Sequence, residues 1–318
     1  MNAPPNEPMR PPHLVFTTPR KLPKARDLRG RVVVLDVAFA SEASGGGFEK
    51  VTLPLIDALG PRLAAWVDHH DSDDHARYAS DPRFVLATKE RHGACPEMVT
   101  ADVVARAGEV DTIVCHTDLD GLISAAKWIC GGVEPYPGAD RDAWAVDTCL
   151  ARPSPHGERL DRALRARPTD HGLFGIVVRH LASGLSDPAL WVPIDQAAAE
   201  LLPIEAETRS AAREYVRLAP GVAVVDVTER RQAGAKLDKT QLLLAGQERE
   251  RVSVVIDRDT VTVAARFDSG LNFLQLLGLS GGMPTRVSIP RSRLHEVLGV
   301  LGVSVADVAG KFPIKADS

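Results

Sequence analysis

No apolar run in this 318-residue chain approaches the roughly 20 residues that a membrane-spanning helix needs, so a helical span is excluded. The N-terminus, MNAPPNEPMRPPH, lacks the charged-then-apolar order of a signal peptide. The four cysteines (Cys95, Cys115, Cys130, Cys149) form no C-x-x-C pair, and nothing points to export. They read as reduced, mostly buried thiols of a cytoplasmic protein, with a disulfide as the minor alternative. A basic excess is missing as well. Net charge is −4 and the pI is near 6.2, which argues against a broad field for long nucleic acid but leaves room for a local basic groove. No internal repeat or long low-complexity tract is present.

What the chain does have is globular composition, 44% hydrophobic and 25% charged, at a length that suits two domains. Residues 1–12 are Pro-rich and polar and read as disordered. Continuous β-branched or apolar runs predict buried, parallel-type strands at 31–36 (RVVVLD), 63–70, 111–115 and 143–147 (AWAVD). Helices are expected at 48–59, 95–107, 122–130, 158–167 and 172–182, and a further short strand at 132–136. Residues 40–47 (ASEASGGG) form a loop. Residues 193–218 read as a linker helix that Pro203 must kink or split, and the domain boundary is placed there. The expected division is a metal-binding domain over 1–192, the linker, and a smaller mixed α/β domain over 219–318. In the latter, strands are expected at 222–227, 241–244, 252–256, 260–266 and 285–289, with helices at 271–277 and 293–301.

The chemistry sits where apolar runs stop. One ends on Asp68-His69-His70, another on His116-x-Asp118-x-Asp120-Gly121, and two more on Asp36 and Asp147. In an open parallel sheet, ligands bind beyond the carboxyl ends of the strands, so four such ends would converge on one crevice. Side chains alternate along an extended segment, so His116, Asp118 and Asp120 can face one side. Carboxylates with a minority of imidazoles and no thiolate suit Mn²⁺, with Mg²⁺ the alternative. Two such ions about 3.5–4 Å apart form a clamp for phosphoryl transfer. Taken alone, Asp36 or Asp147 reads more simply as a helix cap; the metal reading rests on the two clustered strings together. Asp195 reads as a helix cap. The remaining histidines, and the basic residues between 17 and 29, read as ordinary surface or core groups.

VDHH and HTDLDG resemble the signature motifs of the DHH phosphoesterase superfamily. Asp36 resembles its isolated strand-end aspartate and Asp147 its last acidic ligand. Residues 266–272 (RFDSGLN) resemble the Arg-x-x-x-x-x-Asn element of the DHH-associated (DHHA1) accessory domain, and 278–283 (GLSGGM) its glycine-rich loop. The family comprises single-strand exonucleases, oligoribonucleases, cyclic-dinucleotide phosphodiesterases, nucleotide phosphatases and pyrophosphatases, most of them using Mn²⁺. The resemblance implies an α/β fold: a parallel-sheet catalytic domain with a smaller mixed α/β accessory domain.

The resemblance also implies roles. Asp36 would bridge two ions, with His116 and Asp118 on one, His69 and Asp120 on the other, and Asp147 completing the set. His70 would meet the scissile phosphate or help the leaving oxygen, and Asp68 would orient a histidine. Arg266, Asn272, Arg286 and the backbone amides of Gly281 and Gly282 would bind phosphate; the bland alternatives are a surface salt bridge for Arg266 and a tight turn for the glycines. Two departures stand out. HTDLDG follows DHH here, whereas in the family it comes first, and Met283 stands where the family's loop carries His. The implied activity is hydrolysis of a phosphodiester in a nucleotide or short single-stranded oligonucleotide. A phosphatase or pyrophosphatase, and a non-catalytic nucleotide-binding relative, remain alternatives. The sequence leaves a homodimer open.

Overall fold

The computed structural model describes residues 11–41 and 46–304. Residues 1–10 of the segment expected to be disordered, 42–45 of the glycine-rich loop, and 305–318 lie outside that part. The first unit contains β1 (His13–Thr17), β2 (Val32–Leu35), β3 (Leu63–Asp68), the two-residue β4 (Asp71–Ser72), β5 (Phe84–Leu86) and β6 (Thr112–His116). All but β4 form one parallel sheet in the order β1-β6-β2-β3-β5. Its helices are α1 (Phe48–Leu59), α2 (Ala101–Ala107), α3 (Leu119–Ile129), α4 (Ala139–Thr148), α5 (Pro155–Ala166), α6 (His171–Ala182), α7 (Pro188–Ala199) and α8 (Leu201–Ala212).

The unbroken VVVL run is explained by cover on both faces. Val32 and Val34 join Trp66 and Val114 in a core with Leu55, Ile56 and Leu59 of α1. Val33 and Leu35 join Val67, Ile113 and Cys115 in a second core with Leu119, Leu122 and Ile123 of α3. Helix α3 is buried from Leu119 to Trp128, with α4, α5 and α6 packed around it. From β2 the chain steps outward to β3 and β5, then returns with β6 on the other side of β2. The order therefore reverses between β2 and β6, the point at which open parallel sheets bind their ligands.

The second unit holds β7 (Val216–Ala219), β8 (Val222–Asp226), β9 (Val252–Asp257), β10 (Thr260–Ala265), β11 (Gly281–Gly282) and β12 (Arg286–Pro290), with α9 (Thr228–Gln232), α10 (Lys239–Gln247), α11 (Phe273–Leu276) and α12 (Leu294–Val300). Its mixed sheet runs β12-β10-β9-β8-β7, with only β8 and β9 parallel. Strand β11 leaves this sheet and pairs with β4 of the first unit.

Several expected elements differ. The expected strand over 143–147 lies inside α4, because a short apolar run fits a buried helix face as well as a strand. Residues 241–244 belong to α10 for the same reason. Residues 132–136 form turns, and the helix expected over 95–107 is a 3₁₀ turn, Cys95–Met98, followed by α2, whose N-cap Thr100 accepts from the Val103 N–H. The linker over 193–218 is not one helix. It comprises the end of α7, then α8, then the start of β7, and residue 192 lies within α7. Pro203 sits in the first turn of α8; its ring cannot follow Ala199 in a continuous helix, so the break falls at Glu200. Asp195 lies inside α7 and pairs with Arg159 at 2.7 Å, so it is not a cap. Among the described residues, no helix is long and apolar enough to cross a membrane.

Candidate metal centre

Asp36 is the first residue past β2. Its N–H donates to the Val67 carbonyl at 2.9 Å, extending the ladder by one step, and its φ of 57° then turns the chain. Aspartate tolerates this left-handed conformation better than most residues. The side chain is 1% exposed, and neither carboxylate oxygen has a hydrogen-bond partner among the described residues. A buried carboxylate left so is costly unless a cation meets it.

The candidates for that meeting surround it. His116 ends β6, with Nδ1 3.5 Å from Asp36 Oδ2 and 2.7 Å from Asp118 Oδ2. His69 Nε2 lies 3.2 Å from Asp36 Oδ1 and 3.3 Å from Asp120 Oδ2. His69 Nδ1 faces the His92 carbonyl at 2.9 Å, which fixes the ring and leaves Nε2 as the lone-pair nitrogen. Three groups of side chains bring one donor atom each within 4.8 Å of one another: Asp36, His69 and His70; Asp36, His116 and Asp118; and His69, Asp120 and Asp147. These groups could hold a metal ion.

The route to this convergence differs from the alternation expected in an extended segment. Only His116 is on a strand. Asp118 is the N-cap of α3, its Oδ1 accepting from the Gly121 N–H at 3.4 Å, and Asp120 lies in the first helical turn. The strand-to-helix turn is tight: a Cβ on Gly121 would stand 2.8 Å from the His116 carbonyl oxygen. Asp147 arrives from the last turn of α4, not from a strand end.

His70 Nδ1 and Asp68 Oδ1 are 2.8 Å apart, so Asp68 orients this ring. Burial, and next the Lys89 ammonium, push His70 well below the usual imidazole range. Burial raises the Asp68 carboxyl. For Asp36, burial and the Asp120 charge push upward, but the imidazoles of His116 and His69 outweigh them and hold it below its ordinary value. Burial lowers His116, yet Asp118 and Asp36 carry it well above the usual range. His69 is pulled down by burial and Lys89 and driven up by Asp120 and Asp36, to about 11. Lys89 Nζ lies 2.9 Å from Nε2, and a hydrogen bond between the two needs a lone pair on one nitrogen; with Nδ1 facing a carbonyl oxygen, Nε2 is the acceptor and the ammonium the donor.

Lys89 is the residue that sequence reasoning missed. It lies in the stretch Thr88-Lys89-Glu90-Arg91, which reads as a solvated charge run, yet it is 2% exposed. Its ammonium contacts His69 Nε2 and Asp147 Oδ2.

Beside Asp147 a cleft of about 350 Å³ opens between the units, lined by Asp147, Thr148 and Cys149 from one side and by Thr240, Arg266, Met283 and Arg286 from the other. Arg286 is held there by a 3.1 Å bond from Nη1 to Thr240 Oγ1. Arg266 lines the cleft but is engaged with Asp268 at 3.0 Å, as the salt-bridge alternative had it. Asn272 does not line it; its side chain caps α11, accepting from Gln275 N at 3.1 Å. Gly281 and Gly282 form neither a tight turn nor an open amide nest. They pair with Ser72 and Asp71, directly after the DHH string, and a Cβ on Gly281 would stand 2.8 Å from the Asp71 carbonyl oxygen. All four cysteines are free thiols.

No protein-family model and no curated protein matches the chain. Among solved structures it is similar to a pGpG-specific phosphodiesterase, PggH, from Vibrio cholerae, at 11% identity over 87% of this chain and 100% of that one, with a TM-score of 0.40. A likeness at that level fixes neither the fold nor the chemistry.

Proposed function

We propose that the chain is a divalent-metal-dependent phosphoesterase of the DHH kind, hydrolysing a phosphodiester in a nucleotide or short single-stranded oligonucleotide. The observation that carries this reading is the buried Asp36 carboxylate. Both of its oxygens lack hydrogen-bond partners, and it stands between His116 with Asp118 and His69 with Asp120. Aspartates 36, 68, 120 and 147 lie in the field of one buried ammonium, Asp118 stands against His116, and this donor chemistry fits a hard divalent ion. We take the ion to be Mn²⁺, with Mg²⁺ the alternative. Asp36, His116 and Asp118 would hold it, and it would supply positive charge against a phosphoryl oxygen.

The protein's own groups do the rest. His70, with Nδ1 committed to Asp68, would meet the scissile phosphate or help the leaving oxygen through Nε2. Arg286 and Arg266 would bind substrate phosphate in the cleft; Asn272 supports its helix, and Gly281 with Gly282 docks the second unit beside the centre. The proposed division is a catalytic domain over 1–192, a connecting segment over 193–218 and a substrate domain over 219–318, in a cytoplasmic protein.

Asp118→Asn is the sharpest test. Asparagine keeps the N-cap bond to Gly121 but offers a poorer ligand. Expected is loss of Mn²⁺-stimulated hydrolysis across a panel of linear dinucleotides, short oligonucleotides, phosphomonoesters and pyrophosphate, with the melting temperature in EDTA unchanged. Full turnover by the variant would refute the reading. Turnover of monoesters or pyrophosphate alone would move the substrate class.

A further inference from the structure

The second ligand group already contains a cation. Lys89 Nζ stands 2.9 Å from His69 Nε2 and bonds to Asp147 Oδ2, two of the three donors in the His69, Asp120 and Asp147 group. An ion held by His69 would use the same Nε2 lone pair, since Nδ1 faces the His92 carbonyl. One lone pair serves one cation. The first group differs: among the described residues, no lysine or arginine bonds to Asp36, His116 or Asp118.

The lysine is also held where it is. Its backbone N–H donates to Asp71 Oδ2 at 3.2 Å, and Arg91 N and His92 N both donate to the Thr88 carbonyl. The His92 ring pairs with Glu97 at 3.1 Å. A Cβ on Gly93 would stand 2.2 Å from the Trp144 ring, so the loop is pressed against α4, the helix that carries Asp147. Removing one partner of a buried ion pair leaves the other uncompensated, which is strongly unfavourable. An incoming ion would have to displace an ammonium that is paired, buried and anchored on a pinned loop.

Resting on the metal reading above, we propose that the chain binds a single divalent ion, at Asp36, His116 and Asp118, and that the Lys89 ammonium takes the place of a second ion between His69, Asp120 and Asp147. The built-in cation carries one positive charge where a metal would carry two. An ammonium has three N–H donors. His69 and Asp147 take two, and the Asp120 and Asp36 carboxylates add their charge to the same ammonium.

The test is a metal count on the full chain, loaded with Mn²⁺ and desalted, read by elemental analysis and by electron paramagnetic resonance. Expected is one Mn²⁺ per chain with the spectrum of an isolated ion. Lys89→Ala and Lys89→Gln should each gain a second equivalent and show exchange coupling between neighbouring ions. Two coupled ions in the unmodified chain would overturn the role of Lys89 while leaving the metal reading intact. No bound Mn²⁺ would overturn both. A folded Lys89 variant that stays at one ion would overturn the claim that this group is a cation position. Should both variants fail to fold, the count on the unmodified chain decides alone.

Discussion

Replacing Gly121 by alanine sets helix propensity against site geometry. Residue 121 lies in the first turn of α3, where Gly→Ala would ordinarily stabilise by about 1 kcal/mol. Here the new Cβ would stand 2.8 Å from the His116 carbonyl oxygen and 2.9 Å from the His116 Cβ. Ordinary contact begins at 3.4 Å, so helix and strand must part by 3.4 − 2.8 = 0.6 Å. Overpacking of this kind costs about 1–3 kcal/mol, enough to cancel or reverse the propensity gain. The movement matters more at the centre. His116 rides on the strand side of the clash, while Asp118 and Asp120 ride on the helix side. Metal–ligand distances tolerate only about 0.2 Å. Mn²⁺ affinity should therefore fall by at least the roughly 10–100-fold seen when supporting contacts of a metal site are lost. Isothermal titration with Mn²⁺, beside thermal unfolding in EDTA, reads both effects. A variant with raised melting temperature and unchanged Mn²⁺ affinity would refute the close approach of α3 to β6 as the reason for this glycine.

Other outcomes follow from the same geometry. His69→Ala and Asp120→Ala should each abolish Mn²⁺-stimulated hydrolysis; unchanged turnover in either would remove the His69 group from the reaction. Chelation should lower the melting temperature. An ion at 100-fold its Kd stabilises by ~2.7 kcal/mol. At roughly 2.1 cal/mol/K of unfolding entropy per residue, 318 residues convert that to a shift of about 4 °C, and no shift would count against a bound ion. Met283→His, at the cleft, should change KM and leave metal content intact; loss of metal would contradict its placement. Asp170 caps α6, and the Leu173 N–H holds its carboxyl below the ordinary 3.8. Its contribution is present above that value and lost as pH falls through the lowered folded one. Asp170→Ala should thus cost about 1 kcal/mol at neutral pH and less in strong acid, where only the neutral carboxyl's acceptor bond is left, measured by urea unfolding.

The ladder VVVL, the string DHH and the string HTDLDG were readable because each element carries its own signal. A parallel strand buried on both faces is apolar throughout, and acids at its end have few structural uses. The same local reading misassigned residues 143–147 and 241–244, where a few apolar residues satisfy a helix face and a strand equally. It placed Asp147 in the ligand set through the wrong element. Asn272 and Gly281 matched their motif positions, yet one caps a helix and the other docks a strand. Motif spacing records residue type and leaves the neighbours unspecified.

By itself, then, the sequence determined the buried strands that carry Asp36, the DHH string and His116, that two α/β units follow one another, and which acids and imidazoles end the runs. Only the tertiary structure decided that β6 returns beside β2, so that His116 and Asp36 face each other across the point where strand order reverses. Only it decided that Lys89, in a segment indistinguishable from a surface charge run, is buried between His69 and Asp147. The physical reason is range. Periodicity and end residues are properties of neighbours along the chain, whereas the electrostatic demand of a buried acid cluster is met by whichever cation the folded loops bring within reach.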